Sequence, residues 1–289
     1  MRIKLFVLSA IILLLGACSS KKSVVGSRHK TTLGTYASPP RLENSRVDVN
    51  KLIEELQDLN ANTYNWLVWQ HTTDWDDLQL FLPEARKKKI NVWVTLVPPS
   101  ESQPKAKWNS EPYKMDYERW ATEIAKLSRQ HTNLIAWSID DFAHNLTTYT
   151  PDYLQKMLAN AKAVNPKLLF IPCVYYRQIN KSLAEKYGAM FDGILFPYRA
   201  ESKGANLTDA TVVQDEIANI RTLFRSGFPV YLDVYQTAHS RLGASTPQYV
   251  KDVVVEGLKY ADGVLIYTHP HPVKESEKYL YIKEQFSRK

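Results

Sequence analysis

The chain has 289 residues, with 37 lysines and arginines, 30 aspartates and glutamates, and a formal net charge of +7. The basic residues are spread along the chain and form no arginine-rich stripe, which argues against a nucleic-acid partner. No glycine-rich phosphate loop follows any predicted strand, which argues against a nucleotide-binding sheet.

The N-terminus has the layout of a bacterial export signal. Residues 1–4 carry two positive charges, and residues 5–15 form an apolar run that is too short to remain as a membrane-spanning helix. The segment Leu15-Gly16-Ala17-Cys18 resembles the lipobox of bacterial lipoproteins. The resemblance implies cleavage before Cys18 and acylation of its thiol and its new amino group. An ordinary secretory signal with an incidental cysteine is the alternative.

We therefore divide the chain into a lipoprotein signal peptide (residues 1–17), a flexible tether that begins at the acylated Cys18 (residues 18–30) and a folded domain (residues 31–289). The tether is polar and basic, without an apolar period. Ser19 favours an outer-membrane destination, so we expect an exported protein held to the cell envelope by its lipid. Cys173 is then the only free cysteine, which excludes an internal disulfide, and its apolar strand predicts a buried, inert thiol.

From residue 31 the chain repeats one unit, which consists of a β-branched or aromatic run, a polar loop and an amphipathic helix. The predicted strands are residues 32–38, 62–69, 91–97, 134–139, 168–175, 193–197, 229–235 and 263–267. The predicted helices are residues 49–59, 78–89, 117–129, 151–164, 181–187, 209–225, 247–260 and 275–286. Eight alternating pairs predict a single α/β domain with the (β/α)8 TIM-barrel fold, because open doubly wound sheets have about five to seven strands.

In such barrels the active site forms at the carboxyl ends of the strands, so the residues there are candidates for substrate contact. Aromatic rings stack on the apolar faces of sugars, and planar polar groups bind hydroxyls in pairs. The candidate substrate-binding residues are Tyr36, Trp69, His71, His144, Tyr175, Arg177, Tyr198, Arg199, Tyr235, Gln236, Tyr267 and His269. Their position carries the argument, since aromatic residues also favour strands in general.

Asp140 and Asp141 directly follow the fourth predicted strand. Two adjacent carboxylates at the end of a hydrophobic strand repel one another and lose hydration, so at least one pKa is expected to rise. A carboxyl group that stays protonated near neutral pH can act as a general acid. The alternative is a strand-end pair that caps the next loop or bonds to arginines, but the position at the barrel mouth favours catalysis.

The segment Ile139-Asp140-Asp141-Phe142 resembles the paired-aspartate motif of barrel β-N-acetylglucosaminidases that use substrate assistance. The resemblance implies that Asp140 orients the acetamido group of the substrate as an internal nucleophile. It also implies that Asp141 is the acid/base. The match covers the barrel plan and these few residues, and in a broader sense it implies a glycoside hydrolase.

Asp233, in the seventh predicted strand, is a second candidate carboxylate. Strand alternation directs Asp233 and Tyr235 towards the barrel axis. A charge at that place needs a partner, and Arg177 or Arg199 could supply it. Because strands four and seven carry the acid/base and the nucleophile in many retaining glycosidases, a second scheme has Asp141 as the acid and Asp233 as nucleophile or base. A buried aspartate–arginine pair that only rigidifies the barrel is the alternative.

The remaining acidic and histidine motifs are expected to be structural. Asp192 and Asp262 precede predicted strands on the opposite, amino-terminal face of the barrel, where a role in stability is expected. The segment His269-Pro270-His271 has a spacing that occurs in metal sites, but no carboxylate cluster joins it. We therefore predict neither a metal nor another cofactor.

Together these features predict a membrane-tethered, monomeric glycoside hydrolase that acts on oligosaccharides or glycan ends. Asp140, Asp141 and Asp233 are the candidate catalytic residues, and the carbohydrate is the expected partner. A non-catalytic barrel that captures glycans is one alternative. A metal-dependent hydrolase or lyase that uses the histidines is another.

Overall fold

The computed structural model describes residues 31–289, which form one unit. The predicted signal peptide, the tether and Cys18 lie outside the described residues. Within residues 31–289, no helix is both long enough and apolar enough to cross a membrane.

Eight strands and eight helices alternate along the described chain, which confirms the predicted (β/α)8 barrel. The strands are β1 (Thr32–Tyr36), β2 (Thr63–Val68), β3 (Asn91–Leu96), β4 (Leu134–Ile139), β5 (Leu169–Phe170), β6 (Ile194–Pro197), β7 (Val230–Tyr235) and β8 (Gly263–Tyr267). They lie in the order β5-β4-β3-β2-β1-β8-β7-β6, and neighbouring strands are parallel. The first and last strands therefore pair, from Thr32 opposite Gly263 to Tyr36 opposite Tyr267.

The barrel closes between β5 and β6 through a short bridge. Cys173 pairs with Leu195, Val174 N donates to Leu195 O at 3.0 Å, and Leu195 N donates to Pro172 O at 3.0 Å. The fifth strand is predicted over residues 168–175, but its regular part is only Leu169–Phe170. Pro172 has no N–H to donate and therefore interrupts the ladder at this point.

The helices are α1 (Val49–Asp58), α2 (Asp74–Lys87), α3 (Tyr117–Gln130), α4 (Pro151–Val164), α5 (Lys181–Tyr187), α6 (Val213–Phe224), α7 (Pro247–Tyr260) and α8 (Ser276–Ser287). Several begin with a side chain that accepts a hydrogen bond from the first turn, namely Asp48, Asp116, Thr150, Asn180 and Thr246. The start of α6 is later than the predicted residue 209. The Asp209 carboxylate accepts from Thr211 N at 2.8 Å and stabilises a turn there instead.

Side chains along each strand alternate between two layers. Val230, Leu232 and Val234 face the helices and belong to the larger core. The side chains that face the barrel axis form a smaller inner cluster of Tyr36, Ala37, Trp93, Ala136, Ile171, Cys173, Leu195 and Leu265. Asp233 is fully buried and bonded to Tyr36 of this inner cluster, so it faces the axis as alternation predicts.

The amino-terminal face of the barrel is held by two aspartates. Asp192 accepts from Phe170 N at 2.8 Å, and Asp262 accepts from Val230 N at 2.9 Å. Each carboxylate also binds a basic side chain of an outer helix, at 3.1 and 2.7 Å respectively. Both aspartates therefore fix the start of a strand, which confirms their predicted structural role.

Candidate active site

A cavity of about 90 Å³ opens among the loops that follow the carboxyl ends of the strands. Three carboxyl side chains share it with four tyrosines and one tryptophan. Its lining consists of Tyr36, Trp69, Glu101, Asp140, Asp141, Cys173, Tyr175, Pro197, Tyr235, His239 and Tyr267. Seven of the residues that the sequence singles out as site residues thus meet in one place, although they come from six different strands or their loops.

Asp140 and Asp141 both face this cavity from the end of β4. Asp141 adopts a left-handed backbone conformation, with φ 44° and ψ 36°, which non-glycine residues rarely adopt. Its N–H donates to Asp140 Oδ1 at 3.0 Å, and Asn145 Nδ2 donates to its carbonyl at 2.9 Å. Consecutive residues of a strand point to opposite faces, so this turn is what brings both carboxyl groups into one cavity.

Two of the three predicted histidines, His71 and His144, are not part of the cavity lining. His144 Nδ1 lies 3.5 Å from Asp141 Oδ2, and its ring centroid lies 5.6 Å from that of Tyr175. His144 is therefore close enough to orient the Asp141 carboxyl. His71 borders a neighbouring groove instead.

Two of the carboxyl groups of the cavity, those of Asp140 and Glu101, have raised pKa values. Loss of hydration raises the pKa of Asp140 to about 7, and the negative charges of Asp141 and Glu101 add to this effect. Loss of hydration also raises the pKa of Glu101 to about 7, again with a contribution from the charge of Asp141. The prediction that at least one pKa of the aspartate pair rises is confirmed. Near neutral pH this cluster holds protons that it can transfer.

Asp233 lies behind the cavity wall and is fully buried. Its Oδ2 accepts a 2.6 Å hydrogen bond from the Tyr36 hydroxyl, and its Oδ1 has no hydrogen-bonding partner within residues 31–289. Burial raises the pKa of Asp233 to about 8, and the charge of Asp140 raises it further, whereas the bond from Tyr36 lowers it. Asp233 is therefore an uncharged group at neutral pH that holds Tyr36 in the cavity wall.

The two arginines proposed as partners of Asp233 are engaged elsewhere. Arg199 forms an ion pair with Glu201, and its guanidinium lies 4.2 Å from the ring centroid of Tyr175. The guanidinium of Arg177 donates to the backbone carbonyl of Glu201 at 3.4 Å. The prediction of an arginine partner for Asp233 is therefore wrong, because both guanidinium groups donate to Glu201 and the Asp233 carboxyl bonds only to Tyr36 among residues 31–289.

Four tyrosine rings and a histidine in the cavity wall pack against one another. The centroid of Tyr267 lies 5.0 Å from that of Tyr36 and 5.4 Å from that of Tyr235. The hydroxyls of Tyr175 and Tyr235 are 3.4 Å apart, and His239 stacks on Tyr235 at a centroid distance of 4.2 Å. Rings that fix one another in this way present rigid faces and hydroxyl edges, which suit a sugar ring.

Three of the predicted substrate-binding residues use their polar groups within the fold. Tyr198 is fully buried, and its hydroxyl donates to a loop carbonyl at 2.7 Å. Gln236 is also fully buried, and its amide donates to a loop carbonyl at 3.2 Å. His269 bridges Thr35 and Glu55, which lie 2.8 and 2.9 Å from its two ring nitrogens. These side chains join the loops of the barrel and do not line the cavity.

Four residues that line the cavity are not among the predicted site residues, namely Glu101, Cys173, Pro197 and His239. Glu101 lies in the loop that follows β3, so a search of the residues just beyond the carboxyl end of that strand could have found it. Cys173 is buried, as predicted, and burial raises the pKa of its thiol well above the usual range, but it also lies against Asp140. His239 comes from the long loop after β7, where no sequence pattern points to it.

The described residues offer no group of three or more histidine, cysteine, aspartate or glutamate side chains arranged to hold a metal ion. His269 is committed to Thr35 and Glu55, and His271 accepts from two backbone N–H groups of its own loop, at 3.1 and 3.2 Å. The histidine pair of the sequence motif therefore serves the local structure.

No protein-family model matches the chain, and no curated protein matches its sequence. Several solved structures, however, align with the structure of this chain. A GH113 β-1,4-mannanase aligns over 90% of this chain and 99% of its own, with a TM-score of 0.61 at 12% identity. A GH2 β-galacturonidase from Eisenbergiella tayi, bound to galacturonate, aligns over 90% and 51%, with a TM-score of 0.60 at 12% identity. A β-glucuronidase from Bacteroides uniformis aligns over 83% and 30%, with a TM-score of 0.57 at 13% identity.

The chain shares the barrel fold of these glycoside hydrolases. It spans about half the length of the galacturonidase and under a third of the glucuronidase. At this identity the likeness extends to the fold, while the chemistry has to be argued from the cavity.

Proposed function

We propose that the chain is a glycoside hydrolase-like enzyme that cleaves glycosidic bonds in oligosaccharides or glycans by carboxyl acid/base catalysis. The observation that carries the proposal is the convergence of Glu101, Asp140 and Asp141 on one tyrosine-walled cavity. The pKa values of Asp140 and Glu101, each raised to about 7, keep protons available where a leaving oxygen must be protonated. The barrel shared with a mannanase and with uronidases supports a carbohydrate substrate.

Asp141 is the acid/base in this proposal, and Asp140 orients the substrate. An acetamido N–H that donates to Asp140 stabilises the ionised form of Asp140. Asp141, as the acid, gives a proton to the leaving oxygen while the acetamido oxygen attacks the anomeric carbon. The ionised Asp141 next accepts a proton from the water that opens the cyclic intermediate. The nearby His144 orients the Asp141 carboxyl through both steps.

Asp233 has a positioning role in this scheme. A two-carboxyl mechanism needs a nucleophile in direct contact with the sugar, whereas Asp233 is buried behind Tyr36 and does not line the cavity. Substrate assistance takes its nucleophile from the sugar itself. The burial of Asp233 therefore supports the substrate-assisted scheme over the one in which Asp233 attacks.

The charge of the cavity favours a neutral or acetamido sugar over a uronic acid. The eleven lining side chains include three carboxyl groups and neither lysine nor arginine. Burial and the charge of Arg199 lower the pKa of His239, so that histidine stays neutral near pH 7. The structurally similar uronidases act on acidic sugars, but an acidic ring in this cavity would meet like charges without a compensating cation.

The activity is tested with a panel of 4-nitrophenyl glycosides that includes β-N-acetylglucosaminide, β-glucoside, β-mannoside and β-glucuronide. We expect release of nitrophenol from the β-N-acetylglucosaminide and a loss of at least about 100-fold in kcat for Asp141→Asn. Asp76→Asn is the matched control, since Asp76 is an exposed aspartate in the first turn of α2. Sugar binding without turnover identifies a glycan-capture protein, and activity lost on chelation identifies a metal-dependent enzyme.

We also propose that acylated Cys18 anchors the protein to the outer membrane of the cell envelope. The support is the lipobox-like segment Leu15-Gly16-Ala17-Cys18 and the serine after it. The expected result is partition of the wild type into the detergent phase of an envelope extract and loss of that partition in Cys18→Ser. Equal partition of both proteins into the aqueous phase contradicts the anchor.

A further inference from the structure

A second groove lies next to the cavity, between the loop after β2 and the loop after β3. It encloses about 150 Å³, and Trp69 lines both this groove and the cavity. Trp108 lines the groove as well, together with the planar amides of Gln70, Gln103 and Asn109. The groove is therefore a lateral continuation of the cavity across a shared tryptophan.

Both loops are held in place by buried polar side chains. Asp74 Oδ2 accepts from the backbone N–H groups of Trp69, Gln70 and His71 at 3.1, 2.9 and 3.0 Å. On the other side, Ser110 donates to a carbonyl of β2 at 2.7 Å and accepts from the N–H that follows β3 at 2.9 Å. Asp74 and Ser110 are each 1% exposed, so the groove is preformed and requires little ordering when a ligand binds.

The chemistry of the groove suits an uncharged sugar. Trp69 and Trp108 are both partly exposed, and indole rings stack on apolar ring surfaces. Lys107 Nζ lies 4.2 Å from the centroid of the Trp108 ring, and Glu111 balances its charge at the same groove. Side-chain amides beside the indoles can donate to and accept from hydroxyl groups.

We propose that this groove is a second sugar subsite, which binds a neutral hexose unit linked to the unit held in the cavity. The inference rests on the proposed function, since it takes the substrate to be an oligosaccharide. The shared Trp69 is the physical link, because a saccharide that occupies both spaces must pass it. The enzyme therefore prefers chains of several sugars over single-sugar glycosides.

The test compares wild type with Trp108→Ala and with Tyr281→Ala. Tyr281 is a matched control, because it also has a lysine near its ring, at 5.0 Å, but lies in α8 on the outside of the barrel. Binding of cellotetraose, mannotetraose and chitotetraose is measured by calorimetry in the Asp141→Asn background. Turnover of the same tetrasaccharides and of the 4-nitrophenyl glycosides is measured in the otherwise unmodified enzyme.

We expect Trp108→Ala to weaken the binding of the preferred tetrasaccharide about tenfold, which corresponds to about 1.4 kcal/mol. Its kcat/KM for the tetrasaccharide falls similarly, whereas its rate on the 4-nitrophenyl glycoside and the behaviour of Tyr281→Ala stay unchanged. If Trp108→Ala loses tetrasaccharide binding and no variant hydrolyses any substrate, the subsite is supported and the hydrolase proposal fails. Turnover of 4-nitrophenyl glycosides with no tetrasaccharide binding, or with binding indifferent to Trp108, overturns the subsite alone.

Discussion

The hydroxyl of Tyr36, at the end of β1, donates a 2.6 Å hydrogen bond to Asp233 in β7, and the two residues lie 197 positions apart in the sequence. Asp233 has no other hydrogen-bonding partner among the described residues, because its second oxygen is unpaired. We therefore expect Tyr36→Phe to lower the free energy of unfolding by about 1–3 kcal/mol. Urea denaturation followed by circular dichroism measures the change, with Tyr281→Phe as an outer-surface control. An unchanged midpoint in Tyr36→Phe contradicts the argument.

The raised pKa of Asp233 makes stability depend on pH. In the folded state this pKa is about 8, against the ordinary value of 3.8, so between these values the folded protein holds a proton that the unfolded chain has lost. Stability therefore falls as pH rises from about 4 to about 8, by at most about 1.4 kcal/mol per pH unit from this group.

Asp233→Asn removes this proton while it preserves the shape of the side chain and an acceptor for Tyr36. The fall in stability between pH 4 and pH 8 should become shallower in this variant, and thermal unfolding at several pH values measures it. The matched control is Asp252→Asn, an ordinary surface position in α7. A slope in Asp233→Asn equal to that of the wild type would show that Asp233 is already ionised in the folded protein.

Activity is expected to fall as pH rises through about 7, since the aspartate pair then loses the proton that Asp141 transfers. The negative charge of Glu101 helps to keep the pKa of Asp140 high. Glu101→Gln should therefore move the basic limb of the kcat/KM profile to lower pH. Glu123→Gln, on the outer surface of α3, is the control. A shift to higher pH in Glu101→Gln contradicts the assigned sign.

Discrimination against acidic sugars should follow from the same carboxyl groups. We expect glucuronic acid to inhibit the enzyme with an inhibition constant at least about tenfold above that of glucose, since the uronate carboxylate meets like charges. Glu101→Gln removes one of these charges and should narrow the ratio. Tighter inhibition of the wild type by glucuronic acid than by glucose would refute the electrostatic argument.

The fold and part of the cavity could be predicted because their causes are local. Hydrophobic periodicity locates the eight units, and the carboxyl-end rule then selects Asp140, Asp141 and the four tyrosines of the cavity wall. Side-chain pairing could not be predicted in the same way. The arginine partner expected for Asp233 is wrong because both guanidinium groups bind Glu201 instead, and these contacts depend on two loops meeting in space.

For individual residues, burial and hydrogen bonding determine whether the side chain reaches the cavity more than its position at a strand end does. His269 occupies a carboxyl strand end, but Thr35 and Glu55 satisfy both of its ring nitrogens. Conversely, Glu101 and His239 reach the cavity from loops of irregular structure. No periodicity constrains a loop, so the sequence reveals its length but not the direction of its side chains.

Cys173 offers a test of the cavity that is independent of any carboxyl substitution. Its thiol donates to Asp140 and lowers the pKa of that carboxyl, although burial outweighs this effect. Cys173→Ala removes the donor, so the basic limb of the kcat/KM profile should move to higher pH, opposite to the shift in Glu101→Gln. Cys173→Ser keeps a donor and should restore the wild-type profile.

The thiol itself should be unreactive in the folded protein, because burial raises its pKa well above the usual range and only the thiolate is an effective nucleophile. Iodoacetamide at pH 7.5 should therefore label Cys173 slowly in the native state and rapidly in urea. Fast native labelling, or a downward shift of the basic limb in Cys173→Ala, would mean that the thiol faces solvent and does not support Asp140. If both measurements agree with these expectations, the pKa of Asp140 depends on Cys173, which lies 33 residues further along the chain on the next strand segment of the barrel.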